Sequence, residues 1–287
     1  MTRYAKPRTV DEALALLSGG GWRILAGGTD FYPALGNRPL TEDVLDISGL
    51  GALRGIDTDG AFITIGAVTR WTDIVRHELP PAFDALRQAG REVGSIQIQN
   101  AGTIGGNLCN ASPAADGVPA LLALDALIEL RSREQTRRLA LGDFILGNRQ
   151  TALAPDEMLV SVLVPKHSAA GRSAFVKLGA RRYLVISIAM AAARLTIDGE
   201  ARVSAAAVAV GACSAVAQRL GALEQALIGR VADRSIAEAV EARHVDGLSP
   251  LDDVRASAEY RVAAAREIVG RALVAALDPA ATTGVAA

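Results

Sequence analysis

Two glycine-rich segments carry most of the chemistry this sequence can offer. The first reads Ile24-Leu25-Ala26-Gly27-Gly28-Thr29-Asp30. Strand-type apolar residues run into two consecutive glycines and then a hydroxyl. Glycine lacks Cβ, so successive backbone N–H groups can converge on one point. Such a concavity binds phosphate without a lysine. Taken alone, the segment reads equally well as a tight turn after a strand. The second segment reads Asn100-Ala101-Gly102-Thr103-Ile104-Gly105-Gly106-Asn107-Leu108-Cys109-Asn110-Ala111-Ser112-Pro113-Ala114-Ala115-Asp116. Thr103, Asn107 and Asn110 offer side-chain hydrogen bonds while the glycines let the backbone approach closely. Asp116 adds a carboxylate suited to the hydroxyls of a sugar or ribityl chain. The plain alternative for this segment is a surface loop.

Several chemistries are excluded. Neither segment is G-x-G-x-x-G or G-x-x-x-x-G-K-[ST], so neither a Rossmann fingerprint nor a P-loop is present. No G-x-S-x-G nucleophile elbow occurs. The two cysteines, Cys109 and Cys213, are too few for an iron–sulfur cluster and form no C-x-x-C pair. His77, His167 and His244 are scattered, with no helical metal-binding pair. Thirty basic residues against 31 acidic ones give a net charge of −1, which argues against a nucleic-acid partner. Only Lys6, Lys166 and Lys177 are lysines. Two glycine turns and almost no acid–base histidine suit a large phosphorylated cofactor that brings its own chemistry.

The elements that must position these turns are legible in outline. Thr9 and Glu12 form a capping-box pattern ahead of a short helix, and Gly19-Gly20-Gly21 stops it. Residues 22–26, 43–47 and 62–65 read as strands. Thr69 reads as the cap of a helix through Val75, and Pro80-Pro81 opens another towards Glu92. Residues 94–119 lose helical periodicity and read as one long functional loop. A helix over 118–126 follows, then strands over 127–130 and 158–164. Residues 173–178 and 186–197 read as strands, and Asp198-Gly199 turns the chain into an antiparallel partner over 202–210. The rest reads as Ala-rich helices, the last capped by Ser249 before Pro250. The tail from Asp278 reads as frayed. The opening residues show no secretory pattern, and no apolar run nears the ~20 residues of a membrane helix. The expectation is a cytoplasmic protein with no membrane insertion.

The pair of glycine segments resembles those of the flavoprotein (medium) subunits of the molybdenum hydroxylases, the xanthine dehydrogenase and carbon monoxide dehydrogenase family. The similarity continues through residues 119–126, Phe175-Val176-Lys177, Arg181-Arg182 and Ser257-Ala258-Glu259-Tyr260-Arg261. The resemblance implies an α+β fold in which two α/β subdomains clasp FAD (the PCMH-type FAD-binding fold), followed by a C-terminal antiparallel sheet with helices. It implies an FAD-binding domain over 1–170, with subdomains of about 1–55 and 56–170. A sheet-plus-helices domain over 171–280 and a flexible tail over 281–287 would follow. It implies an oxidoreductase subunit with non-covalent FAD. Molybdopterin and 2Fe-2S clusters would sit only on partners, a large molybdopterin subunit and a small iron–sulfur subunit. Together they would form a heterotrimer or a dimer of heterotrimers, passing electrons to an acceptor such as NAD+ or oxygen.

Carried over by residue, Ala26, Gly27, Gly28, Thr29 and Asp30 would wrap the FAD diphosphate, flanked by Ile24 and Leu25. Gly102, Thr103, Gly105, Gly106, Asn107 and Asn110 would form the second clamp, with Ile98 beside it. Asp116 would meet cofactor hydroxyls, Met158 and Leu159 would pack on the flavin, and Lys177 would place a charge beside it. A solvated strand lysine is the plain alternative for Lys177. Residues 92–96 lack the aromatic ring that some relatives set against the flavin, and Tyr183 is a substitute candidate. Cys109 reads as a small buried thiol. Two other functions stay in view: a self-sufficient FAD-dependent oxidoreductase of the same fold, and an assembly subunit without cofactor.

Overall fold

The computed structural model describes residues 2–277, so the expected frayed tail lies outside the described residues. Strand β1 (Tyr4–Ala5) leads to helix α1 (Val10–Leu17), whose Thr9 cap accepts the Glu12 N–H at 3.1 Å. The Glu12 carboxylate reaches back to the Arg8 N–H rather than to the cap residue itself. Strand β2 (Trp22–Leu25), helix α2 (Phe31–Leu35) and strand β3 (Asp43–Asp46) complete a small parallel sheet in the order β1-β3-β2. The first glycine segment is therefore the β2–α2 turn.

A five-stranded antiparallel sheet follows, in the spatial order β4 (Ile56–Asp57), β5 (Phe62–Gly66), β10 (Met158–Pro165), β6 (Leu127–Arg131), β7 (Thr136–Ala140). Strands β4 and β5 come first in the chain. Helices α3 (Trp71–Arg76) and α4 (Asp84–Glu92) follow and pack against each other. Thr69 does not cap α3. Its hydroxyl is buried between the Gly55 N–H and carbonyl, at 2.9 and 3.0 Å.

Residues 94–119 are not one long loop but three short helices, α5 (Ile96–Ala101), α6 (Ile104–Asn110) and α7 (Gly117–Ala123). Ser95 and Thr103, which read as loop residues, are the N-caps of α5 and α6. A helix of two turns is too short to show its periodicity, so its caps are the only local signal. Strands β6 (Leu127–Arg131) and β7 (Thr136–Ala140), helix α8 (Leu141–Phe144) and a small hairpin of β8 (Ile145–Gly147) and β9 (Gln150–Thr151) lead into β10 (Met158–Pro165). Strand β10 is buried from Met158 to Val164 because it is the central strand, covered on both faces.

The C-terminal region is an antiparallel sheet of β11 (Arg172–Leu178), β12 (Ala189–Ile197), β13 (Val203–Gly211) and β14 (Gln218–Arg219). The β12–β13 turn is held by Asp198, whose Oδ1 accepts from the Glu200 and Arg202 N–H groups, each at 2.9 Å. Helices α9 (Gly221–Leu227) and α10 (Ala258–Leu277) cover one face. Small residues on the strands, such as Ala191 and Ala193, and on the helix, such as Ala265 and Ala272, share one buried cluster. Short side chains on both surfaces let helix and sheet lie close. Helix α10 starts later than expected: Ser257, not Ser249, caps it, accepting the Tyr260 N–H at 3.2 Å. Arg261 then ties the helix to the sheet by donating to the Ile188 and Ala212 carbonyls at 2.6 and 3.1 Å.

Candidate functional site: a glycine-walled cleft

The two glycine segments face each other across a cleft of about 800 Å³. Every residue expected at the cofactor lines it except Leu25, Asp116 and Lys177. Leu25 is instead buried in a small apolar cluster with Phe31 and Val44.

The two walls are not equivalent. In the second segment the protein already uses the backbone donors. Gly105 N–H bonds Ala67 O at 2.9 Å, Gly106 N–H bonds Thr103 Oγ1 at 3.1 Å, and Asn107 N–H bonds Thr103 O at 3.0 Å. This wall supplies close approach. A Cβ on Gly106 would meet only Thr103 Oγ1, at 2.9 Å. In the first segment, the N–H groups of Gly27, Gly28, Thr29 and Asp30 donate to no group among the described residues. Four successive unmet donors in a cleft wall form an anion cradle. Gly28 adopts φ +75°, the left-handed conformation that lets the run curl. A Cβ on Gly27 would collide with the Ala101 carbonyl oxygen. The cradle thus rests directly on the end of α5.

The Thr103 hydroxyl is buried and committed to its cap, so it holds α6 in place. Thr103→Ala should cost about 1 kcal/mol in a urea titration, and Thr103→Ser much less. Equal losses in both variants would show that the methyl group matters and the cap does not.

Residues 1–167 match the family described as "FAD binding domain in molybdopterin dehydrogenase". Residues 174–276 match "CO dehydrogenase flavoprotein C-terminal domain". The chain belongs to the FAD-binding subunits of the molybdopterin dehydrogenases. It is 39% identical over 193 residues to the nicotinate dehydrogenase FAD-subunit of Eubacterium barkeri, a match covering 64% of this chain and 65% of that one. It is 33% identical to the 6-hydroxypseudooxynicotine dehydrogenase complex subunit alpha of Paenarthrobacter nicotinovorans, covering 98% and 96% of the two chains. A solved structure of reconstituted CO dehydrogenase from Oligotropha carboxidovorans superposes with a TM-score of 0.87 at 28% identity, covering 96% of this chain and 98% of that one.

The residues present fit the FAD of this family. The unmet N–H run matches a diphosphate, the glycines leave room for backbone contact, and Ile24, Ile98 and Leu159 offer apolar cover. Asn107 lines the cleft, and its Oδ1 is buried without a partner among the described residues.

Asp116 and Lys177 depart from the expected positions. They pair with each other at 2.7 Å, and Ser187 donates to the other Asp116 oxygen at 2.7 Å. Lys177 also donates to the Glu92 carbonyl at 3.3 Å, one residue before the cleft residue Val93. Both charges are buried, and a buried charge requires a partner. Nearby, burial pushes the Glu92 carboxyl above its usual range. Tyr183 stands outside the cleft lining, exposed, with Arg182 donating to its hydroxyl at 2.8 Å.

Cys109 is not buried as expected: it is exposed, on the wall of the open cleft. Sequence reasoning also missed several lining residues, Arg149, Arg23 and Phe31 among them. Arg149, at the β8–β9 turn with φ +60°, donates to the Asn110 side chain. Arg23 and Phe31 flank the first glycine segment directly. Their only sequence signal is adjacency to that motif.

Proposed function

We propose that this chain carries electrons from the iron–sulfur clusters of a partner subunit to an acceptor such as NAD+ or oxygen, within a heterotrimer or a dimer of heterotrimers. FAD, when bound, would supply the redox chemistry. The chain's own residues hold and shield it. Gly27, Gly28, Thr29 and Asp30 present N–H donors to the diphosphate. Gly105 and Gly106 permit close approach from the facing wall. Ile24, Ile98 and Leu159 exclude water from the ring systems. Met158 and Asn110 complete the wall, with Arg149 fixed behind Asn110. The run of unmet donors in a glycine-walled cleft is the observation that carries this reading.

Attachment is read as non-covalent. Neither glycine segment carries a histidine that could form a histidyl flavin link. The chain is also read as dividing near residue 170, a boundary supported by the separate family matches on either side. Among the described residues no group of three potential metal ligands occurs, and no helix is long and apolar enough to cross a membrane.

The test is reconstitution. The purified chain loaded with FAD should oxidise NADH with an artificial dye, yet leave heterocycles and aldehydes untouched. Hydroxylation should appear only when the molybdenum and iron–sulfur partners are added. Bleaching of the flavin by an organic substrate in the lone subunit would overturn this reading in favour of a self-sufficient flavoenzyme.

A further inference from the structure

Two side chains just outside the first glycine segment form a flat platform on the cleft. Arg23 lies on β2, and Phe31 is the first residue of α2. Strand alternation puts Arg23 on the same face as Leu25, and Leu25 packs against Phe31. The glycine turn folds the ring back over the strand. The guanidinium carbon of Arg23 lies 4.4 Å from the Phe31 ring centroid, the spacing of a stacked cation–π pair. Nη1 of Arg23 is tied to Glu42 at 2.5 Å, which fixes the plane at its edge. Arg23, Phe31, Ile24 and Ala34 all line the cleft. One side of the guanidinium is covered by Phe31, and the side chain remains 33% exposed.

Glu42 already compensates the charge of Arg23. What remains for a ligand is the plane rather than the charge. Nucleobases stack on guanidinium planes as they do on aromatic rings. Adenine presents an electron-rich face that suits a cation, whereas the oxidised flavin ring is electron-poor. The diphosphate cradle begins four residues further on, at Gly27. We infer that Arg23, backed by Phe31, is the stacking surface for the adenine base of FAD, and that it sets the preference for a dinucleotide over a mononucleotide flavin. This rests on the FAD reading of the cleft given above.

The test is an equilibrium titration of the apoprotein with FAD and with FMN, followed by flavin fluorescence, for the wild-type chain, Arg23→Ala and Arg23→Lys. Thermal melting of each apoprotein verifies folding. Arg23→Ala should weaken FAD about tenfold and leave FMN unchanged, because stacking on a base is lost. Arg23→Lys keeps the charge without the plane and should weaken FAD nearly as much. Unchanged FAD affinity in Arg23→Ala, full recovery in Arg23→Lys, or an equal loss for FMN would each overturn the inference. Failure of the wild-type chain to bind FAD at all would instead overturn the cofactor reading itself, and the inference with it.

Discussion

Gly27→Ala should strip the protein of its flavin. The new methyl would point at the Ala101 carbonyl oxygen, with the Ala101 carbon at 2.8 Å and Gly102 Cα at 2.9 Å. All three are backbone atoms, so no side-chain rotation relieves the clash. The turn must lift off the end of α5, and the four N–H groups it carries lose their common aim. Hydrogen bonds to a charged group are worth roughly 1.5–3 kcal/mol each, so misplacing even two weakens FAD by on the order of a hundredfold or more. The measurements are the flavin-to-protein ratio after purification and the dissociation constant by fluorescence. Gly142→Ala is the control, because a Cβ there meets nothing within 4 Å. It should retain both flavin and stability. Stoichiometric FAD in Gly27→Ala at wild-type affinity would show that this turn is not the anchor.

The same contrast explains what the sequence reveals and what it hides. A motif is legible when its chemistry is contiguous. Residues 26–30 carry their function in consecutive backbone groups, so the residue types alone announce it. Thr9 is legible as a cap because eight helical residues follow it. Thr103 caps only seven residues and Ser95 six, so both look like loop. Thr69 and Ser249 show the reverse error. The Thr69 hydroxyl bonds Gly55 rather than a helix end, and at Ser249 the backbone N–H is what is engaged, donating to the Ser214 hydroxyl, so tertiary contacts decide. Arg23 and Phe31 meet only because the glycine turn reverses the chain between them. The exposure of Cys109 follows from the shape of the cleft, and residue type carries no trace of that.

Asp116 and Lys177 are the clearest case, and they lead to the second large expected effect. They stand 61 residues apart, and no local pattern links them. Each alone looks like a polar contact for a ligand. Together they form a buried ion pair that joins the start of α7 to β11. Burial pushes the Asp116 carboxyl up, and Lys177 and Ser187 pull it back down. Lys177→Met removes that opposition and leaves a carboxylate buried without its cation. The expected loss is about 3–5 kcal/mol of stability at neutral pH. The pH dependence has a definite sign. With its folded-state pKa raised further, Asp116 of the variant holds a proton that the unfolded chain releases near its ordinary value of about 3.9. The variant's stability is therefore fullest below that pH and falls as pH rises towards the folded-state value. Chemical denaturation of the Lys177→Met and wild-type apoproteins at pH 4 and pH 7.5 measures the difference. The double variant Asp116→Leu, Lys177→Met should recover most of the loss, since two apolar groups need no partner. A deficit equal at both pH values, with no recovery in the double variant, would show that Lys177 acts through packing of its stem and not through its charge.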